Sequence, residues 1–212
     1  MADLTKFLKK NVEGYLFHDL QSLIGPAPLP DQTDSGVGYP LLMTSFAGIE
    51  LLGALLSVKK FDTNSGSTYF KSYWTIYLYP SLQDGNMIAD SLCQLVRHGI
   101  AHAYVLKGQI GVGRRQPALH LKRDASGLVY VDAVKLAEDL IKSYETKIFS
   151  IVSSKTGNVN GNTMAQRLNE MEQAYKAQAI SRPLPAFPST VAESAAVSTS
   201  FVPLVSGAPF KP

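Results

Sequence analysis

Residues 87–104 read MIADSLCQLVRHGIAHAY, and the spacing of their apolar positions predicts a helix. Take a wheel of about 100° per residue with Ile88 at zero. Leu92, Val96, Gly99 and Ala103 then fall between roughly 20° and 80°, with Leu95 just on the other side. This arc is the predicted core face. By the same count His102 falls at about 320°, His98 at about 280° and Arg97 at about 180°. The two histidines are neighbours one turn apart, and the long Arg97 side chain can swing toward them. One helix thus carries a packing face and a polar face with a permanent cation and two imidazoles. Its packing face needs other helices to cover it.

The rest of the chain supplies them. Residues 3–24 place Leu4, Phe7, Leu8, Val12, Tyr15, Leu16, Leu20 and Ile24 near helical spacing, and Gly25-Pro26 stops the helix. Residues 41–57 are apolar nearly all round except Thr44, Ser45 and Glu50, which predicts a helix buried on most sides. Glu50 is there either a partly exposed surface glutamate or an acid facing a polar cleft or a basic partner. Thr68–Tyr79 carries Tyr69, Phe70, Tyr73, Trp74, Tyr77 and Tyr79. It reads as a third helix with core or interface aromatics, although such content also suits a strand. Asp84-Gly85-Asn86 is a turn.

After residue 104 the pattern changes. Gly108, Gly111 and Gly113 read as a flexible connection, since no strand–loop–helix context frames them as a phosphate loop. Residues 118–123 and 128–131 alternate like short strands around Asp124–Gly127, which predicts a small β-hairpin with His120 facing outward. Asp132 is placed to cap a fifth helix, whose stripe runs Val134, Ala137, Ile141, Tyr144, Ile148 and Ile151. Residues 153–161 form a polar loop. Thr163 with Gln166 reads as a capping box for a last helix through about Ala179. Six of the 12 prolines lie in the final 32 residues, which predicts a poorly ordered C-terminal tail. The expected organisation is a helical domain over 1–152 with the hairpin at 118–131, a loop and additional helix over 153–180, and a Pro/Ser/Ala-rich tail over 181–212.

The net charge of +3 is too small by itself to diagnose nucleic-acid binding, but its distribution is uneven. Arg97, Lys107, Arg114, Arg115, Lys122 and Arg123 fall in a window without any Asp or Glu. An electropositive field beside two histidines suits a polyanion, whereas a solvated basic loop is the plain alternative. Cys93 is the one cysteine, so an internal disulfide is excluded and a small buried hydrophobe is expected. MADLTKFLKK lacks the apolar core of a signal peptide, and no uninterrupted apolar run reaches membrane-spanning length. A cytoplasmic protein without a membrane partner is the expectation.

Only four histidines occur, and two of them lie in the hexad Arg97–His102. Three readings of it compete. His102 borders the core and could simply bond a neighbouring carbonyl. His98-x-x-x-His102 also has zinc-ligand spacing. It lacks a Glu after the first histidine and an evident third ligand, and Arg97 would repel a metal ion, so neither a metal nor a cofactor is expected. The third reading is phosphodiester chemistry, in which the guanidinium offsets phosphate charge and an imidazole moves a proton near neutral pH.

The hexad resembles the Arg-x(4–6)-His signature of the HEPN superfamily, with Arg97 at the arginine, His98 at the following polar position and His102 at the histidine. The resemblance covers about residues 1–152. It implies a mainly α fold, a HEPN-like helical bundle that dimerises with two motifs in one cleft. It also implies metal-independent endoribonuclease activity of the kind found in toxin–antitoxin and phage-defence systems. On this reading RNA is the partner, with Arg97, His98 and His102 catalytic. Lys107, Arg114, Arg115, Lys122 and Arg123 would hold the RNA backbone, and Glu50 would be a supporting acid. The family also contains non-catalytic modules, so an interaction module partnered with an antitoxin or a nucleotidyltransferase is the alternative.

Overall fold

A computed structural model describes residues 3–25, 38–103, 110–154 and 156–181, with the side chains of 95–103 outside the described residues. The fold is mostly helical with one small sheet. Helix α1 covers residues 4–24: Leu4–Phe7 and His18–Ile24 are α-helical, and Leu8–Phe17 between them is wound in wider π-type turns. Helix α2 is Gly38–Leu55. Helix α3 covers 66–78, with α-helical Gly66–Tyr73 continuing into π-type turns over Trp74–Leu78. Helix α4 is Gly85–Ala103. Strands β1, Ile110–Gly113, and β2, Val129–Asp132, follow. Helix α5 covers 133–153, with its π-type turns at Tyr144–Ile148, and helix α6 is Gly161–Ser181.

Helix α2 is the centre, as its nearly continuous apolar sequence demands. Every other helix touches it, and Leu41, Leu42, Phe46, Ile49, Leu52 and Leu55 are all buried. Ser45 is fully buried, and its hydroxyl donates to the Leu41 carbonyl at 2.8 Å, so that hydroxyl is satisfied. By length and composition α2 could cross a membrane, but 56% of that stretch is buried inside the protein, as in a core helix. No other helix among the described residues passes that test.

Helix α3 packs on α2 so closely that only glycine fits at the crossing. A Cβ on Gly53 would lie 2.1 Å from the Tyr69 carbonyl oxygen. The aromatic run of α3 is core: Tyr69, Phe70, Tyr73 and Trp74 are buried. Phe70 meets Phe46 at 4.7 Å between ring centroids and stacks on Trp74 at 5.6 Å, and Tyr79 meets Trp74 edge-on at 4.7 Å. The helical reading of 68–79 therefore stands. Met164, Leu168 and Met171 of α6 join the same apolar cluster.

Two local expectations are corrected. The strand expected at 118–123 does not form. Pro117–Leu119 is a short 3-10 turn, and Arg115 and Leu121 have positive φ values of 60° and 57° that break an extended run. The partner of β2 is β1, in parallel, with Ile110 opposite Val129 and Gly113 opposite Asp132. A remnant of the hairpin survives as an antiparallel bridge from Arg123 to Val129. The turn at Asp124 is as expected, its carboxylate accepting from the Ser126 and Leu128 amides. Gly113 is no flexible connector: a Cβ there would collide with the Tyr130 hydroxyl.

The second correction is at α6. It begins at Gly161, and its cap is Asn160, whose Oδ1 accepts from the amides of Asn162 and Thr163 at 3.0 and 3.1 Å. Thr163 lies inside the first turn, and Gln166 pairs with Glu170. Asn is as good a cap as Ser or Thr, and the polar run Thr156–Gly161 masked it. Asp132 caps α5 as expected, accepting from the Lys135 amide at 2.8 Å.

Candidate functional site

The hexad occupies the last turns of α4, and the helix continues through it to Ala103. The register read from sequence therefore applies to its backbone. The side chains of Arg97, His98 and His102 lie outside the described residues, as does Lys107.

The other basic residues divide into two pairs. Arg114 is 5% exposed, and its Nη2 donates to the carbonyls of Leu23 and Ile24 at 2.8 and 3.0 Å. Arg115 is exposed and donates from Nη2 to Ile24 at 3.1 Å and Gly25 at 3.3 Å. The last carbonyls of a helix have no partner inside it and carry partial negative charge, so these guanidinium groups close the C-terminal end of α1. Lys122 and Arg123 are exposed, and no carboxylate pairs with either among the described residues.

Arg123 stands at the rim of a cavity of about 210 Å³ between the first turns of α4 and the sheet. Met87, Ile88 and Ser91 of α4, Ile110 of β1, Gly127, and Val129 of β2 line it with Arg123 among the described residues. Ile88, Ile110 and Val129 are buried over most of their surface and give the cavity an apolar floor, and Ser91 and Arg123 are the lining residues with polar side chains among the described residues.

Glu50 is half-buried on α2, between two further cavities. One is bordered by Phe61, Asp62, Tyr69 and Tyr175. The other is bordered by Phe46, Phe70 and the buried Cys93 of α4. Arg97 follows Cys93 by about one helical turn. Glu50 is thus set beside the side of α4 that leads to the hexad.

One polar cluster was not anticipated. His120 turns inward rather than outward, because the 3-10 turn at 117–119 delivers it beneath β2. The Asp132 amide donates to its Nδ1 at 3.1 Å, which in a neutral ring puts the proton on Nε2, 2.8 Å from the Tyr79 hydroxyl. Tyr79 in turn donates to Asp139 at 3.0 Å, and Lys135 pairs with the same carboxylate. Burial pulls the His120 pKa down to about 4, with Asp139 opposing, so the ring is neutral at pH 7. Burial also raises the Tyr79 hydroxyl, with Asp139 adding to it. Both ring nitrogens of His120 are engaged. The cluster fastens the 117–123 loop to α5 and to the end of α3. The one sequence signal for it was the Lys135–Asp139 spacing on one helix face. His18 is exposed.

No group of three His, Cys, Asp or Glu side chains is arranged to hold a metal ion among the described residues. No protein-family model matches the chain, and no curated protein or solved structure matches it.

Proposed function

We propose that this chain is a HEPN-like endoribonuclease that works as a dimer without a metal. The observation that carries the reading is the hexad on the last turns of an uninterrupted α4, in a mainly helical protein. That register keeps His98 and His102 one turn apart on one face, and Arg97, farther round the helix, is long enough to swing toward them. Lys122 and Arg123, exposed and without a carboxylate partner among the described residues, support an anionic ligand, and Arg123 lines the cavity beside α4.

The reaction is an internal transfer. The ribose 2′-oxygen forms a bond to the adjacent phosphorus, and the bond from phosphorus to the 5′-oxygen breaks. The 2′ proton passes to a base and the leaving 5′-oxygen takes a proton, giving a 2′,3′-cyclic phosphate and a 5′-hydroxyl. His102 serves proton transfer, Arg97 stabilises charge building on the phosphoryl oxygens, and His98 orients the phosphate. In a dimer two copies of the motif face one strand.

The test is incubation of purified protein with RNA in EDTA, followed by end mapping. Cyclic phosphate ends are expected, and His102→Ala is expected to slow cleavage about 10²–10⁴-fold. Cleavage that is absent, or that survives both Arg97→Ala and His102→Ala, overturns the reading in favour of a non-catalytic interaction module.

A further inference from the structure

We infer that the cavity between α4 and the sheet is a nucleotide subsite, which takes a base on Ile88, Ile110 and Val129 and its phosphate on Arg123. The inference deepens the ribonuclease reading and names where a flanking nucleotide of the substrate binds. Four observations carry it.

The first is size. A closed apolar cavity of roughly 150 Å³ accepts benzene, so about 210 Å³ suits a heterocyclic ring. The second is chemistry. An apolar floor with a few polar groups at its edge is the usual make-up of a small-molecule site. Here the floor comes from one helix and both strands, which gives a ring three apolar walls. The Ser91 hydroxyl is a donor and acceptor for the polar edge of a base, and neither it nor Arg123 has a side-chain partner among the described residues.

The third is charge. Arg123 is at the rim, Lys122 is its neighbour, and no Asp or Glu lies between residues 97 and 123. A guanidinium suits a phosphate oxygen pair, which it meets through two parallel hydrogen bonds. The backbone bridge between Arg123 and Val129 sets the position of this cation relative to the floor. The fourth is placement. Ser91 and His98 are seven residues apart on one continuous helix, about 10.5 Å along its axis. A strand lying along α4 would therefore cross the cavity and the hexad in turn.

The probes are AMP, UMP and inorganic phosphate, each titrated into the full-length protein with ¹³C-labelled isoleucine methyl groups. Both nucleotides are expected to shift the Ile88 and Ile110 signals saturably, and phosphate alone to bind much more weakly. Arg123→Gln, at an exposed position, is expected to weaken nucleotide binding about tenfold. Ser91→Met, which fills the cavity from α4, is expected to abolish the isoleucine shifts while the remaining methyl spectrum shows the fold intact. His102→Ala is expected to leave binding unchanged. Equal response to phosphate and nucleotides would overturn the inference in favour of a bare anion site, and no isoleucine response to any probe would overturn it outright. Nucleotide binding without RNA cleavage would uphold the subsite and sink the catalytic reading. Cleavage without nucleotide binding would do the reverse.

Discussion

The contact of α2 with α3 and the segment from Ile110 to Asp132 are held by different physics. Between α2 and α3 the contact is shape. Gly53 admits the Tyr69 backbone, and Phe46, Phe70 and Trp74 fill the space beside it. The 110–132 segment is instead tied by polar bonds to distant elements. Arg114 reaches the end of α1, His120 reaches Tyr79, and the Asp132 carboxylate meets both the Gln116 and Lys135 amides. Shape complementarity between apolar groups is indifferent to pH, whereas polar ties loosen when a partner gains or loses a proton. The segment that carries the exposed cations is thus held in part by a tie that pH can loosen, at His120.

The largest expected effect breaks the first region. Phe46→Ala, at a buried ring packed on Phe70, should cost about 3–5 kcal/mol by urea denaturation, equally at pH 5 and pH 7. A pH-dependent cost would show that the aromatic contact is coupled to the polar segment.

An intermediate effect addresses the second region. The folded pKa of His120 is about 4, against 6.5 for the free side chain. The unfolded chain therefore binds more protons between those values, so the stability from keeping the ring neutral is complete above pH 6.5 and declines as pH falls toward 4. Lowering the pH from 7 to 5 should cost about 2 kcal/mol through this residue. Comparing His120→Asn with the natural chain isolates it. An identical pH slope in the two proteins would show that His120 is not the group responsible.

The smallest effect separates the two arginines. Arg115 is exposed and its bonds are longer than those of Arg114, so Arg115→Ala should cost less than about 1 kcal/mol by denaturation. A larger loss would mean that both arginines are needed to close α1.

Patterns that rest on apolar periodicity were legible in the sequence. The burial of α2, the aromatic core of α3, the register of α4 and the Asp132 cap all follow from spacing and residue type. Features set by long-range pairing were not. Ile110–Gly113 holds two glycines in four residues, so nothing local marks it as a strand. Its strand character comes from Val129–Asp132, which lies beside it. The same pairing left residues 118–123 to form a turn and carried His120 inward. Arg114 read as one cation among six, because its partners Leu23 and Ile24 lie some 90 residues earlier. Of the candidate site, the sequence supplied the hexad and the charge bias, but the cavity needed α4 and both strands together.

That long reach from Arg114 to α1 also has a consequence in time. The Leu23 carbonyl waits for a residue 91 positions later in the chain. At roughly 5–20 residues per second of synthesis, the gap is on the order of 5–20 s. During biosynthesis the first helix therefore emerges before the two arginines that bond its last carbonyls. It acquires those bonds only after the hexad itself has been made.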